Sequence, residues 1–120
     1  MVDGTAGFGT DSFILANLGC SVTLCERNFV IAEMLGHAIE NAKHNSERWL
    51  AESASRMSLV RNDLRALSLE ILDHVDAIYL DPMFPRKRNN AASKKEIELL
   101  KSLQPPAFLD FEHEDLLEWA

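Results

Sequence analysis

Two hydrophobic periods alternate along the chain. Residues 21–25 (Ser-Val-Thr-Leu-Cys), 57–60 (Met-Ser-Leu-Val) and 77–80 (Ala-Ile-Tyr-Leu) are short runs of apolar and β-branched residues, the pattern of strands, and Met1-Val2 reads as the end of an earlier one. Between these runs the spacing changes to three and four. Val30, Ile31, Met34, Leu35, Ala38, Ile39 and Ala42 fall on one broad helical face, while Glu33, His37, Glu40 and Lys43 face water. Residues 12–18 make a helix that Gly19 closes. Residues 46–56 continue as a helical turn, and Leu64, Leu67, Ile71 and Leu72 predict another short helix. Ser93-Lys94-Lys95-Glu96 has capping-box spacing and opens a helix through Leu103, which Pro105-Pro106 stops. Residues 115–119 read as the start of a last helix.

Strands alternating with helices predict an α/β fold with a parallel, helix-covered sheet. Right-handed crossovers bring the carboxyl ends of all its strands to one edge. Three of those ends are polar: Glu26 after the second strand, Asn62-Asp63 after the third, Asp81 after the fourth. The glycine-rich turn Asp3-Gly4-Thr5-Ala6-Gly7-Phe8-Gly9 after the first strand lies on the same edge. Groups far apart in sequence therefore converge where ligands bind in open α/β sheets.

Composition narrows this only slightly. At 120 residues the chain is one small domain or part of a larger one, and 47% hydrophobic with 26% charged residues is ordinary for a globular protein. No run approaches the ~18 apolar residues of a membrane span, and the start has no signal-peptide pattern, so a cytoplasmic protein is expected. A net charge of −7 argues against a generic nucleic-acid coat. The charge is uneven: Arg86, Lys87 and Arg88, then Lys94 and Lys95, form a basic loop. Cys20 and Cys25 have no second Cys/His pair at metal spacing, which favours buried free thiols over a disulfide or metal site.

The turn glycines Gly4, Gly7 and Gly9 permit close backbone approach and positive φ. Their order, G-x-x-G-x-G, is neither the dinucleotide order nor a P-loop, which favours a nucleoside-like ligand without a demanding pyrophosphate. Glu26 is placed to accept both ribose hydroxyls; its plainer alternative is a solvated acid paired with Arg27. Asn62 and Asp63 suit either an adenine amino group or the N-cap of the following helix.

Asp81-Pro82-Met83-Phe84-Pro85 carries the sharpest chemistry. An exocyclic base amine is a poor nucleophile because its lone pair is delocalised into the ring. An acid oxygen and a turn carbonyl accepting its N–H groups draw that nitrogen toward tetrahedral geometry, with its lone pair facing an electrophilic methyl. Phe84 stacks on the base, at about 1–3 kcal/mol per base. The alternative is that Asp81-Pro82 ends a strand and Phe84 is core.

Residues 2–11, Leu18-Gly19-Cys20, residues 24–28 and residues 79–85 together resemble the ribosomal RNA small subunit methyltransferase J family. The resemblance implies a Rossmann-like class I methyltransferase fold, helices on both sheet faces, S-adenosylmethionine as cofactor, and transfer to the N2 amine of a guanine in 16S rRNA, at position 1516 by that resemblance. It implies cofactor contacts at Asp3, Gly4, Gly7, Gly9, Thr10, Asp11, Glu26, Arg27, Asn62, Asp63 and Asp81. Transfer would lie at Asp81, Pro82 and Phe84, and flanking RNA phosphates on Arg86, Lys87, Arg88, Lys94 and Lys95. Thr10 stands where the family often has Arg, and Asn62-Asp63 where it commonly has two serines. The partner implied is 16S rRNA or the small ribosomal subunit.

The family's domain extends further at both ends, so residues 1–120 are expected to be a single partial domain, truncated on both sides. Strand one should be central, between strands two and four, and a stub of it would leave exposed edges that invite homo-oligomerisation. Two rivals remain: an NAD-dependent Rossmann oxidoreductase, whose glycine order differs and which has no use for residues 81–85, and a noncatalytic remnant of the methyltransferase domain.

Overall fold

The computed structural model describes residues 1–81. The helices expected at residues 93–103 and 115–119 lie outside them. Four strands form a parallel sheet in the order β3-β2-β1-β4: β1 is Val2–Asp3, β2 Val22–Cys25, β3 Met57–Val60 and β4 Ile78–Tyr79. The short β1 is hydrogen-bonded on both sides, with Val2 opposite Thr23 of β2 and opposite Ile78 of β4. Strand one is central as expected, and β3 and β4 are the outer strands among the described residues.

Helix α1, Thr10–Asn17, joins β1 to β2, and α2, Phe29–Lys43, and α3, Arg48–Ser55, join β2 to β3. All three pack together on one face of the sheet. Ala16, Ala32 and Ala54 are fully buried. The core they enclose runs through Val22, Leu24, Leu35, Ile39 and Met57, with Phe13 and Leu59 against it. Each such large side chain contributes about 1.5–3 kcal/mol when fully buried. Ser53 Oγ donates to Asn17 Oδ1 at 3.1 Å, tying α3 to α1, and Phe13 meets Trp49 edge to face at 6.1 Å.

The buried face of α2 is narrower than its periodicity predicts. Ile31, Ala32, Leu35 and Ile39 are buried, whereas Val30, Met34 and Ala38 are exposed. A helix lying flat on a sheet covers only the arc that faces it, and the apolar residues of α2 extend beyond that arc. Asn28 starts the helix, its Oδ1 accepting the Ile31 N–H at 3.1 Å.

The helix predicted from Leu64 to Leu72 is broken. Leu64–Ala66 is a single 3₁₀ turn, Leu67 is extended with ψ 139°, and the short α4, Leu69–Leu72, follows. Leu64 and Leu67 are both buried, so the chain bends between them to bring both inward. This connection carries the chain from β3 back past β2 and β1 to β4, opposite to the direction of the first two crossovers. The right-handed rule places it on the other sheet face. Strand order therefore reverses between β1 and β4, and that reversal opens a crevice at their carboxyl ends.

Candidate functional site

Asp3 ends β1 and is almost wholly buried, yet neither carboxylate oxygen lacks a partner. Oδ1 accepts the Thr5 N–H at 3.0 Å, and Oδ2 accepts the Ser12 hydroxyl of α1. It holds the glycine turn from beneath and sets the angle at which α1 leaves. Gly4 is closely packed. A Cβ there would lie 2.6 Å from Leu64 Cδ2 and 2.7 Å from Leu80 Cδ2, so the β3–β4 connection and the end of β4 meet beneath it. Gly7 serves differently: its φ of +52° is left-handed, and the space around a Cβ is open apart from the Thr5 carbonyl at 4.0 Å. No side chain crowds the turn at this point.

Glu26, just past β2, reaches this turn. Its Oε2 accepts the Gly7 N–H at 2.9 Å and its Oε1 the Asn28 N–H at 2.7 Å. A carboxylate has about four acceptor sites, so each oxygen keeps capacity for a further donor such as one hydroxyl of a ribose diol. Burial raises the Glu26 pKa above the ordinary carboxylate value, against the opposing pull of the backbone N–H groups and Arg27.

Asp63, after β3, takes the N-cap role. Its Oδ1 accepts the Arg65 N–H at 3.0 Å, the N-cap of the 3₁₀ turn, and its carboxylate takes the Arg65 guanidinium side-on at 2.8 and 2.9 Å. Arg27 Nη1 stands 4.0 Å away, linking the ends of β2 and β3. The paired Arg65 holds the Asp63 carboxyl below its ordinary pKa. Asn62 is exposed, its Oδ1 turned back onto the Asp63 N–H at 2.8 Å.

Thr10 and Asp11 open α1 and are exposed, and Gly9, with φ +75°, is the N-cap residue. Asp81 is exposed at the end of β4. Two links that sequence reasoning missed join it and its strand to the glycine turn. Thr5 Oγ1 accepts the Asp81 N–H at 2.8 Å, and the Tyr79 hydroxyl donates to Asp11 Oδ2 at 3.0 Å. Neither partner pair has a local sequence signal, being 76 and 68 residues apart. Pro82, Phe84, Arg86, Lys87, Arg88, Lys94 and Lys95 lie outside the described residues.

A family model of SAM-dependent methyltransferases matches residues 1–120. The chain belongs to that family. Among curated relatives it is 42% identical to "Ribosomal RNA small subunit methyltransferase J" of Shewanella loihica, over 86% of this chain and 39% of that protein. The protein of the same name from Colwellia psychrerythraea is 43% identical, over 98% of this chain and 41% of its own length. The chain thus spans about two fifths of the curated relatives it matches. A crystal structure of a SAM-dependent methyltransferase from Neisseria gonorrhoeae is 35% identical, with a TM-score of 0.62 over 68% of this chain and 37% of that one. The parallel sheet and its helices are a Rossmann-like α/β fold, and the family's cofactor is S-adenosylmethionine. The open space beside Gly7 and the spare acceptor capacity of Glu26 fit a nucleoside-bearing cofactor.

Proposed function

We propose that this chain carries the cofactor seat and the acceptor turn of a methyltransferase acting on the exocyclic N2 amine of a guanine in 16S rRNA, position 1516 by resemblance to its relatives. The observation that supports this best is the convergence on one short turn. The glycine turn receives Glu26 from β2 through the Gly7 N–H and holds Asp81 of β4 through Thr5 Oγ1. The residue suited to a ribose diol and the residue suited to an amine thus both contact the same glycine turn.

Cofactor contacts are assigned to the exposed Thr10-Asp11 pair, the backbone of Gly4, Gly7 and Gly9, Glu26 with Arg27, and Asn62 with Asp63. Asp3 acts from below, by holding Thr5 and α1. When bound, the cofactor supplies an electrophilic sulfonium methyl. Asp81 accepts an N–H of the target amine, holding its lone pair in line for transfer, and alignment supplies most of the rate. Phe84 is assigned to stack on the guanine, and Pro82 belongs with Asp81 to the transfer motif. Arg86, Lys87, Arg88, Lys94 and Lys95 contact flanking phosphates of the rRNA or the small subunit. Extrusion of a paired base costs a few kcal/mol, so an unpaired site is favoured.

The test is transfer of labelled methyl from S-adenosylmethionine to 16S rRNA lacking the modification, alongside calorimetric titration with S-adenosylhomocysteine. Asp81→Ala should abolish transfer while changing cofactor affinity less than about tenfold. A wild-type chain that is folded by circular dichroism yet binds no S-adenosylhomocysteine would refute the reading.

A further inference from the structure

Beyond their paired residues, β1 runs into the glycine turn and β4 into Asp81. Their backbone ladder runs from Val2 N–H on Ala77 O at 2.9 Å to Gly4 N–H on Tyr79 O at 3.0 Å. A continuing ladder would give the Asp81 N–H a carbonyl of the neighbouring strand. It donates instead to Thr5 Oγ1 at 2.8 Å. A side-chain hydroxyl supplies one more rung after the two backbones have parted. From the residue two before, the Tyr79 hydroxyl reaches across to Asp11 Oδ2 at 3.0 Å, in the first turn of α1.

Both links lie at the surface, where a hydrogen bond contributes little to stability because water competes for the same groups. What they fix is geometry. Asp81 precedes Pro82, which biases its backbone toward extended conformations, and Thr5 then holds its N–H in place. Tyr79 occupies one oxygen of Asp11 and orients the carboxylate.

We propose that Thr5 and Tyr79 are positioning residues for methyl transfer, clamping the acceptor turn at Asp81 to the cofactor turn at Gly7 to Asp11 across the crevice between β1 and β4. The inference rests on the methyltransferase reading above and adds to it the residues that hold its two halves in line. A misplacement of about 1 Å costs about a hundredfold in rate, so weak surface bonds suffice if they remove that freedom.

The experiment uses the whole 120-residue chain with Thr5→Val, which keeps the shape and deletes the acceptor, Thr5→Ser, which restores it, and Tyr79→Phe. Amide hydrogen exchange at Asp81, read by NMR, should accelerate about fivefold in Thr5→Val and recover in Thr5→Ser. Amides of β2 should be unchanged. On 16S rRNA at saturating S-adenosylmethionine, Thr5→Val should lower kcat about tenfold or more with the affinity for S-adenosylhomocysteine unchanged. Tyr79→Phe should weaken that affinity about fivefold through Asp11. Unchanged Asp81 exchange in Thr5→Val overturns the clamp, and faster exchange with unchanged kcat overturns its positioning role. A wild-type chain that binds no S-adenosylhomocysteine while Thr5 still protects the Asp81 amide overturns the methyltransferase reading, and with it the purpose assigned to the clamp, but not the clamp.

Discussion

Glu26 Oε2 accepts the N–H of Gly7 at 2.9 Å, fastening the end of β2 to the glycine turn. The same carboxylate holds the Asn28 N–H at 2.7 Å, so one side chain shapes the turn, the start of α2 and the proposed ribose seat. Glu26→Gln replaces one acceptor oxygen by an amide donor that must face one of those N–H groups. Losing a charge-assisted hydrogen bond costs about 1.5–3 kcal/mol. Affinity for S-adenosylhomocysteine should fall at least about tenfold, read by calorimetry.

The raised pKa of Glu26 sets two pH dependences with opposite signs. Its folded value lies above the ordinary 4.5, so its contribution to the stability of the unliganded chain is present below 4.5 and is lost as pH rises through the folded value. Cofactor binding needs the ionised acceptor, so affinity should rise with pH through the same window and then level. Urea midpoints and calorimetric affinities across pH 4 to 8, about the range where carboxylates with raised pKa titrate, should show both trends in the wild type and neither in Glu26→Gln.

Gly4 and Gly7 should respond differently to alanine. At Gly4 the new Cβ meets Leu64 and Leu80 below 3.0 Å, and overpacking of this kind costs about 1–3 kcal/mol. At Gly7 there is room, and the cost is the left-handed backbone alone, about 1–2 kcal/mol. Denaturant midpoints should fall in both variants. Shortening Leu80 to Val should recover part of the loss in Gly4→Ala and none in Gly7→Ala.

Asn28→Ala deletes the side-chain acceptor for the Ile31 N–H and leaves the Asn28 N–H on Glu26 intact. The expected loss is about 1 kcal/mol of stability, seen as a lower urea midpoint with cofactor affinity little changed.

The two thiols should separate under alkylation. Cys25 is buried in β2, and desolvation with the nearby Asp3, Asp63 and Glu26 carboxylates pushes it up to about 11. Cys20 is half-buried at the end of the α1–β2 connection. Iodoacetamide at neutral pH should label Cys20 first by mass spectrometry and reach Cys25 only on unfolding.

Local pattern was enough for much of the fold. Alternation of strand-like and helix-like spacing and the glycine after α1 are signals carried within a few residues, because backbone periodicity and capping are short-range effects. The convergence of Gly7, Glu26, Asp63 and Asp81 on one sheet edge also follows from sequence, since parallel strands joined by right-handed crossovers must end together. Tertiary structure decided what those residues do once they meet. It buried Asp3 beneath the turn and set Asp63 on Arg65. It left Val30 and Met34 outside the contact arc of α2, and bent the chain at Leu67 so that Leu64 could fill the space under Gly4. Above all it placed Thr5 beside Asp81 and Tyr79 beside Asp11. Those pairings depend on β4 lying next to β1, a neighbour relation between distant segments that no local spacing encodes.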